Sequence, residues 1–344
     1  MQLDENQSPS TPHPVPEYRS GKWFLPNPIA ARLHQKSGLG VSCNDGILLE
    51  SFEVLFCHWN RFIPIDNSWL NSNLSIDQDL IAKSIIFDVA RSGGEIVIPT
   101  TNLSDFEYSK STFAVKWNRN KSHFSEPPIS QVKWFWSFDD VDWPELENWL
   151  SSVNSMGHEA EIFVVDDEMD VTMYRVNYEV ISGNQISWKD LSANDIDSVN
   201  QSILEIVKTS SGGYIPIDNQ WPLETIGVEH LSGINLRFEE IEYIKSKLSS
   251  KPNNNSLFSH LVDLGCILRP GFKYGCKWRA YDDDVSTSHA PWLVQPISDA
   301  PHSWEAICLA VRLAEGVNKK WLCAKTCDGE WKFINIKRWL PGKN

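Results

Sequence analysis

Three side chains near the carboxy terminus have the types and order that acid–base chemistry on a phosphodiester requires. Tyr281, His289 and Lys319 lie within residues 269–344 of the 344-residue chain. Attack of a ribose 2′-hydroxyl on the adjacent phosphate needs a base, an acid for the departing 5′-oxygen and a cation for the phosphate. Histidine, with an ordinary pKa of about 6.5, can be the acid, and lysine can hold the phosphate charge. Tyrosine is the remaining candidate base, and because a free phenol ionises only near pH 10, it needs a neighbouring cation such as Lys319.

The predicted elements around these residues favour convergence. We expect a strand over Lys273–Ala280 that ends at Tyr281, and a loop over Asp282–Ser288 that returns His289 beside it. Each residue alone also has an ordinary structural interpretation. A tyrosine at a strand end often packs half-buried, and a histidine before Ala-Pro is often a loop surface residue.

A helix is predicted over Trp304–Lys320, with Ser303 as its N-cap. Its apolar stripe is expected to be buried and consists of Ala306, Ile307, Ala310, Val311, Ala314 and Val317. Lys319 then lies at the carboxy-terminal end, where the helix dipole favours a cation, although a lysine pair there is often only a solvated cap.

Charge and composition set limits on the class of protein. The net charge is −14, but residues 269–344 hold 12 Lys and Arg against 8 Asp and Glu. This balance of +4 leaves −18 for the remainder, so a phosphate backbone is attracted locally to the region with the candidate site.

No apolar run approaches the ~20 residues of a membrane span. The first residues lack a signal-peptide pattern. Seven cysteines without a CxxC pair indicate reduced thiols, and the predicted location is the cytoplasm.

Internal repetition organises the chain. Three pairs of segments recur in the same order: FIPIDNSW at Phe62–Trp69 with YIPIDNQW at Tyr214–Trp221, FAVKW at Phe113–Trp117 with YGCKW at Tyr274–Trp278, and ELENWLSSVN ending at Asn154 with AVRLAEGVN ending at Asn318. The pattern predicts two tandem copies of one α/β unit.

The carboxy-terminal motifs carry a family resemblance. RPGFKYGCKWRAY, SHAPWLV and CLAVRLAEGVNKKWLCA closely resemble the catalytic domain of the tRNA-splicing endonucleases. The resemblance implies Tyr281 as base, His289 as acid and Lys319 as phosphate stabiliser, with no cofactor and no metal. It also implies that Arg312 binds RNA by stacking on a flipped base. Trp339 falls at the partner position, where a second RNA contact and an interface or core role are both open.

The resemblance also implies a domain plan. Each repeat would have a small mixed α/β subdomain followed by a restriction-endonuclease-like α/β subdomain of catalytic type. The predicted boundaries are a disordered tail over 1–20, a first amino-terminal subdomain over 21–105, a degenerate domain over 106–182, a second amino-terminal subdomain over 183–265 and a catalytic domain over 266–344.

One departure from the family pattern follows the tyrosine. Asp282-Asp283-Asp284 stands where the family often has Gly-Asp-Pro. The carboxylates face solvent, hold Arg279 or a lysine, or form a divalent-metal site, and the sequence leaves these three alternatives open.

The first copy lacks the candidate trio. Aligned on the echoes, Asn120 stands at the tyrosine position and Ser155 at the lysine position, and no histidine occupies the entry of the SQVKWFW strand. This resembles the degenerate half of the family's duplicated archaeal form, which pairs as a homodimer. In that form an acidic loop docks on the partner chain, and the candidate loop here contains Asp166, Asp167, Glu168 and Asp170. A solvated turn is the alternative.

The implied function is excision of introns from precursor tRNA at the bulge-helix-bulge, leaving 2′,3′-cyclic phosphate and 5′-hydroxyl ends. Two alternatives remain open at this stage. The chain is a non-catalytic RNA-binding or assembly subunit, or it is a nuclease of the same fold that acts on another structured RNA.

Overall fold

A computed structural model of the chain describes residues 13–104, 106–216, 221–249, 255–327 and 329–340. These residues have mixed α/β structure, as the sequence predicts. They fall into two compact units, unit 1 with Met1–Val176 and Arg338–Asn344, and unit 2 with Asn177–Lys337. Parts of the predicted tail, of the second IPIDNQW echo, of the loop near residue 252 and of the turn at Asp328 lie outside the described residues.

Unit 1 begins with a small antiparallel sheet of strand order β1-β2-β4-β3 and the helices packed on it. The bounds are β1 Glu17–Arg19, β2 Lys22–Pro26, α1 Ile29–Ser37, β3 Val41–Cys43, β4 Gly46–Leu49, α2 Ser51–Arg61, α3 Trp69–Leu74 and α4 Leu80–Ala90. The predicted tail over 1–20 is wrong at its end, because β1 pairs with β2 from Glu17 to Arg19.

A second sheet of unit 1 has the order β9-β8-β7-β6-β5. Its elements are β5 Ile96–Pro99, β6 Ala114–Trp117, β7 Ser130–Trp136, α5 Trp143–Ser155, β8 Glu159–Val165 and β9 Val171–Glu179, the last of which crosses the unit boundary. Only β7 and β8 pair in parallel, and α5 is the crossover between them.

Unit 2 resembles unit 1 in the strand order of its two sheets, although its helices fall at different places in the chain. The first part has α6 Ala193–Leu204, β10 Val207–Thr209, β11 Gly212–Pro216, β12 Val228–Glu229, β13 Gly233–Arg237, α7 Phe238–Leu248 and α8 Leu257–Asp263, with sheet order β10-β11-β13-β12. The second part has β14 Ile267–Pro270, β15 Trp278–Tyr281, β16 Trp292–Pro296, α9 Trp304–Glu315, β17 Lys320–Cys327 and β18 Glu330–Arg338. Here β16 and β17 pair in parallel, and α9 is the crossover.

Each unit has one principal hydrophobic core. In unit 1 a continuous cluster of buried side chains extends from Leu25 in β2 through Phe87 in α4 to Phe163 in β8. In unit 2 a similar cluster joins Val199 in α6 with Val294 in β16 and Leu322 in β17. The small amino-terminal sheets therefore share a core with the larger sheets. The subdomain boundaries at 105, 182 and 265 remain predictions.

The described residues give two further facts about class. Their helices are all too short or too polar to cross a bilayer. All seven cysteines lie in the described part of the chain and none is in a disulfide.

Candidate active site

Tyr281 is the last residue of β15, the position at which the sequence predicts a strand to end. The predicted start of that strand at Lys273 is wrong, because Phe272–Tyr274 forms a 3₁₀ turn. Gly275 then takes a left-handed conformation with φ of 65°, which ends the turn and postpones the strand to Trp278. In the register of β14 and β15, Tyr281 lies opposite Ile267.

The Tyr281 side chain is buried, with 6% of its surface exposed. Its ring packs in a small cluster with Ile267 and Ala290. The hydroxyl accepts a hydrogen bond from Nη1 of Arg279 at 2.9 Å. The contacting cation is thus Arg279, whereas the sequence suggested Lys319. Arg279 lies two residues before Tyr281, on the same face of the strand, and that alternation is the signal by which it could have been found.

His289 follows a loop that is ordered by its own carboxylates. Asp284 Oδ1 accepts hydrogen bonds from the backbone N–H and the hydroxyl of Ser286, both at 2.7 Å. These bonds lower the pKa of the Asp284 carboxyl below its ordinary value. The backbone carbonyl of Asp284 accepts from Ser288 N–H at 2.9 Å, which turns the chain back toward β16. His289 is exposed at the end of this turn.

The three aspartates after Tyr281 differ in exposure. Asp283 and Asp284 are exposed and Asp282 is half-buried. No ion pair joins Arg279 to any of the three within the described residues, and no group of three metal-ligating side chains is found there. Their observed contacts order the loop.

Lys319 lies in the turn between α9 and β17, so the predicted helix over Trp304–Lys320 is too long. The helix ends at Glu315, and its N-cap is Ser303, as predicted. Asn318 takes a left-handed conformation with φ of 54°. The N–H of Lys319 then bonds to the Ala314 carbonyl at 2.9 Å and the N–H of Asn318 to that of Glu315 at 3.0 Å, which is the Schellman arrangement of a helix end.

The buried stripe of this helix is narrower than the sequence suggests. Ile307, Val311 and Ala314 are buried together with Trp304. Val317 is 41% exposed because it lies beyond the helix end, in the turn.

The Lys319 ammonium points at the residue that follows His289. Its Nζ donates to the Ala290 carbonyl at 2.6 Å. Burial and then the Arg279 guanidinium lower the pKa of Lys319 below its ordinary value. The ring of Tyr281 packs against the same Ala290. Tyr281 and Lys319 therefore both contact the residue that follows His289 in the chain. A phenol beside a guanidinium, a lysine and an accessible histidine define a candidate acid–base site for a phosphodiester.

The two predicted RNA-binding residues lie in different units. Arg312 is exposed in the last turn of α9 in unit 2. Trp339 belongs to unit 1, where its backbone N–H donates to the Met173 carbonyl at 2.8 Å. Lys116 Nζ and the Arg175 guanidinium each lie over its ring, 4.4 Å from the centroid. Trp339 therefore has the packing role that the sequence left open, with its ring already covered by cations.

The acidic segment forms a closed hairpin turn between β8 and β9. Asp166 Oδ1 accepts hydrogen bonds from the N–H groups of Glu168 at 3.0 Å and Asp170 at 2.9 Å. Met169 has a φ of 66° and packs on the unit 1 core. Asp167, Glu168 and Asp170 are exposed.

The strand registers of unit 1 identify the counterparts of the trio. Ile96 pairs with Trp117 as Ile267 pairs with Tyr281, so Trp117 occupies the tyrosine position, and the predicted counterpart Asn120 is wrong. Ser130 pairs with Glu159 as Trp292 pairs with Lys320. Counting back from these pairs places Pro127 at the histidine position and His158, not Ser155, at the lysine position.

Comparison with known proteins agrees with the location of the site. Residues 254–333 match the family model "tRNA intron endonuclease, catalytic C-terminal domain". The chain is 30% identical over 176 residues to a "tRNA-splicing endonuclease" of Thermoplasma volcanium, covering 51% of this chain and 54% of that protein. It is 27% identical over 190 residues to a protein of the same description from Picrophilus torridus, covering 55% of this chain and 60% of the relative.

A eukaryotic relative is also similar. A "Probable tRNA-splicing endonuclease subunit sen34" of Schizosaccharomyces pombe is 28% identical over 121 residues, covering 33% of this chain and 39% of that protein. The chain thus spans between about two fifths and three fifths of the length of these curated relatives. The matches confirm the resemblance to tRNA-splicing endonucleases that the motifs predicted.

Proposed function

We propose that this chain is an endoribonuclease that excises introns from precursor tRNA at the bulge-helix-bulge. The observation that carries the proposal is the meeting of Tyr281 and Lys319 around Ala290, next to His289. This meeting lies within the segment that matches the catalytic-domain model of the tRNA intron endonucleases.

In the proposed reaction the substrate supplies its own nucleophile. The Tyr281 phenolate takes the proton of the ribose 2′-hydroxyl, and the 2′-oxygen forms a bond to phosphorus. The bond from phosphorus to the 5′-oxygen breaks, and His289 gives its proton to that oxygen. Lys319 holds the charge of the pentavalent phosphate. The products are a 2′,3′-cyclic phosphate and a 5′-hydroxyl, and no water is consumed.

Arg279 has a positioning role in this scheme. Its Nη1 donates to the Tyr281 hydroxyl at 2.9 Å, and this charge-assisted hydrogen bond fixes the position of that oxygen. The same guanidinium contributes to the lowered pKa of Lys319. Arg279 thereby orients Tyr281 and adds positive charge near Lys319 at the site.

RNA binding by Arg312 is part of the proposal. Its side chain is exposed in the last turn of α9, seven residues before Lys319, and makes no ion pair within the described residues. A planar cation is a good platform for an unstacked base. For Trp339 the cations over its ring favour packing over stacking with RNA.

We also propose that the chain is a tandem repeat whose first copy is inert and that two chains form a homodimer. The repeated order of strands and the shared parallel crossover support the duplication. The hairpin of Asp167, Glu168 and Asp170 is the proposed docking element, supported by its hydrogen-bonded form and exposure. One cavity of unit 2 does not suit it, since Glu224, Glu229 and Asp284 line that cavity and outnumber Arg269.

A second candidate is favoured by the similarity to a protein described as a subunit. In that case this chain would take part in RNA cleavage only as one subunit of a complex with a different chain. The mass of the purified protein in solution separates the two, because a homodimer has twice the 39.3 kDa of one chain.

The deciding experiment is cleavage of a bulge-helix-bulge RNA by the full-length protein in EDTA. We expect cutting at both bulges with cyclic phosphate ends, and at least a 100-fold loss with His289→Ala at unchanged RNA affinity. Absence of cutting by the chain alone would favour the subunit candidate. Ends that carry a 3′-hydroxyl would exclude the proposed reaction.

A further inference from the structure

We infer that unit 1 has an RNA-binding platform on the loop 118–129, which takes an unpaired base on Phe124 and its phosphates on Arg119 and Lys121. The inference rests on the proposed RNA substrate. This loop follows β6, as the loop of the candidate active site follows β15. It carries Arg119 and Lys121 against one Glu126, whereas the loop after Tyr281 carries three aspartates and no cation.

The platform is a stack of rings with one ring on the outside. Phe124 is 66% exposed, an unusual state for a large apolar side chain. Its ring lies on that of His123, with centroids 3.9 Å apart and planes tilted by 38°. The edge of His34 supports it at 5.8 Å. A base that stacked on the outer face of Phe124 would continue a stack that the protein has already ordered.

The inner rings of the stack are anchored. His34 Nδ1 donates to the Leu39 carbonyl at 3.1 Å, which fixes the ring. The rings of His123 and the buried Trp117 have centroids 6.2 Å apart. Burial, and then the neighbouring His34 and Arg91, lower the pKa of His123, which favours the neutral ring in this packing.

The loop itself is held in place by the residue at the tyrosine position. Trp117 Nε1 donates to the Glu126 carbonyl at 2.9 Å. Glu126 N–H donates to the Ser122 carbonyl at 2.9 Å, and Ile129 N–H donates to the Lys116 carbonyl at 2.8 Å. The side chain that replaces the candidate base therefore orders the loop that presents Phe124.

Cations flank the exposed ring. The Cδ of Arg119 lies over Gly94, 3.1 Å from the position that a Cβ of residue 94 would take. No carboxylate of the described residues forms an ion pair with the Arg119 guanidinium. Lys121 has only a loose ion pair with Glu126, at 3.5 Å between half-exposed side chains. A positively charged surface with an accessible aromatic ring is the combination that binds single-stranded nucleic acid without reading its sequence.

Unit 1 also offers a matched control. Phe138 is 65% exposed and stacks on Trp136, with centroids 5.4 Å apart and planes at 12°. Its neighbours in the chain are Asp139 and Asp140 instead of cations. Phe138 therefore has the exposure and the stacking of Phe124 in an acidic setting that repels phosphates.

The test measures the affinity of the full-length protein for a bulge-helix-bulge RNA with 2′-deoxyribose at the scissile positions, and for a fully paired duplex of the same length. We expect Phe124→Ala to weaken binding of the bulged RNA about tenfold, as the loss of one base–aromatic stack does. Phe124→Trp should retain affinity, Phe124→Leu should not, and Phe138→Ala should match the wild type. Arg119→Gln and Lys121→Gln should each reduce the slope of log affinity against log salt by about one.

The outcomes separate this inference from the proposed function. If the wild type binds and cuts RNA but Phe124→Ala behaves as Phe138→Ala does, the platform is excluded while the nuclease stands. An equal loss of affinity for the bulged and the paired RNA would overturn the stacking role. The thermal midpoint of Phe124→Ala is measured as a control. A midpoint equal to that of the wild type shows that a loss of RNA affinity does not come from misfolding.

Discussion

The second halves of the two units have the same strand order and different chemistry. Unit 2 has Tyr281, His289 and Lys319, and in unit 1 Trp117, Pro127 and His158 occupy the corresponding positions. The backbone that presents them is nevertheless alike. His158 N–H bonds to the Val153 carbonyl after a left-handed Gly157, just as Lys319 does to Ala314 after Asn318.

The cores of the two sheets also differ. In unit 1 Lys116 and Glu161 form an ion pair at 2.8 Å with side chains that are 1% and 0% exposed. The register places Ala280 and Leu322 at these positions in unit 2. The comparison shows that one backbone frame serves both a candidate acid–base site and a buried ionic core.

The largest effect is expected in the unit 1 core. Lys116→Met leaves Glu161 buried with only Arg175 nearby, at 3.5 Å, and should lower the free energy of unfolding by about 3–5 kcal/mol. Lys116→Met with Glu161→Leu gives unit 1 an apolar pair like that of unit 2 and should recover most of the loss. Denaturant unfolding of the three proteins checks this. Equal instability of the single and double variants would show that the pair is not the source of the loss.

Catalysis should distinguish the two helix ends. Lys319→Ala should reduce the single-turnover cleavage rate by about 100- to 1,000-fold, because the phosphate charge loses its cation. His158→Ala, the change at the corresponding position of unit 1, should leave the rate within about twofold. A comparable loss in both variants would contradict the assignment of one active and one inert unit.

The next effect concerns Arg279 and the pH dependence of cleavage. Arg279→Met removes the donor to the Tyr281 hydroxyl, so cleavage at neutral pH should fall by about 10- to 100-fold. The falling limb of the pH–rate profile should move to higher pH, because Lys319 loses a neighbouring positive charge. The pKa of Lys319 should rise toward its ordinary value, so its cation persists to higher pH.

Lys277→Met is the control for Arg279. Lys277 lies two residues before Arg279, just ahead of β15, and its half-exposed side chain pairs with that of Asp299 at 3.5 Å. Its loss should leave the profile in place, and Arg279→Lys should restore part of the rate. A uniform fall of the Arg279→Met profile without a shift in pH would indicate a structural role alone.

The smallest effect is an acid sensitivity of unit 1. Burial lowers the pKa of His158 below its ordinary 6.5, and its Nδ1 accepts from the Gln131 amide at 3.0 Å, which requires the neutral ring. The unfolded chain therefore binds more protons, and stability is lost as the pH falls through about 6.5. His158→Gln should show a smaller decrease in thermal midpoint between pH 7.5 and 5.5. An unchanged decrease would assign the effect to other groups.

The sequence predicts local structure near the candidate site better than it predicts the contacts of the candidate residues. Ser303 as N-cap, the strand end at Tyr281 and the α9 stripe around Ile307 follow from local patterns, and the structure agrees. The start of β15 was missed because a left-handed Gly275 interrupts an otherwise strand-like run. Arg279 was missed as a partner because hydrogen bonds between side chains depend on rotamers that composition does not specify.

The repeat was detected but its register was not. The KW echo aligns Trp117 with Trp278, whereas strand pairing aligns Trp117 with Tyr281. Short echoes of aromatic and lysine residues match wherever a strand of similar composition occurs, so they do not define register. Backbone pairing does, because a shift of one residue turns every side chain to the other face.

The most direct test of the central claim is to identify the nucleophile of the cleavage reaction. A bulge-helix-bulge RNA with 2′-deoxyribose at each scissile position should bind with nearly the affinity of the ribose substrate and should not be cut. The reason is that the Tyr281, His289 and Lys319 site would activate the substrate's own 2′-oxygen. Single-turnover cleavage of the two RNAs by the full-length protein measures this. Cutting of the 2′-deoxy RNA at a comparable rate would contradict the account, because another nucleophile would then be at work.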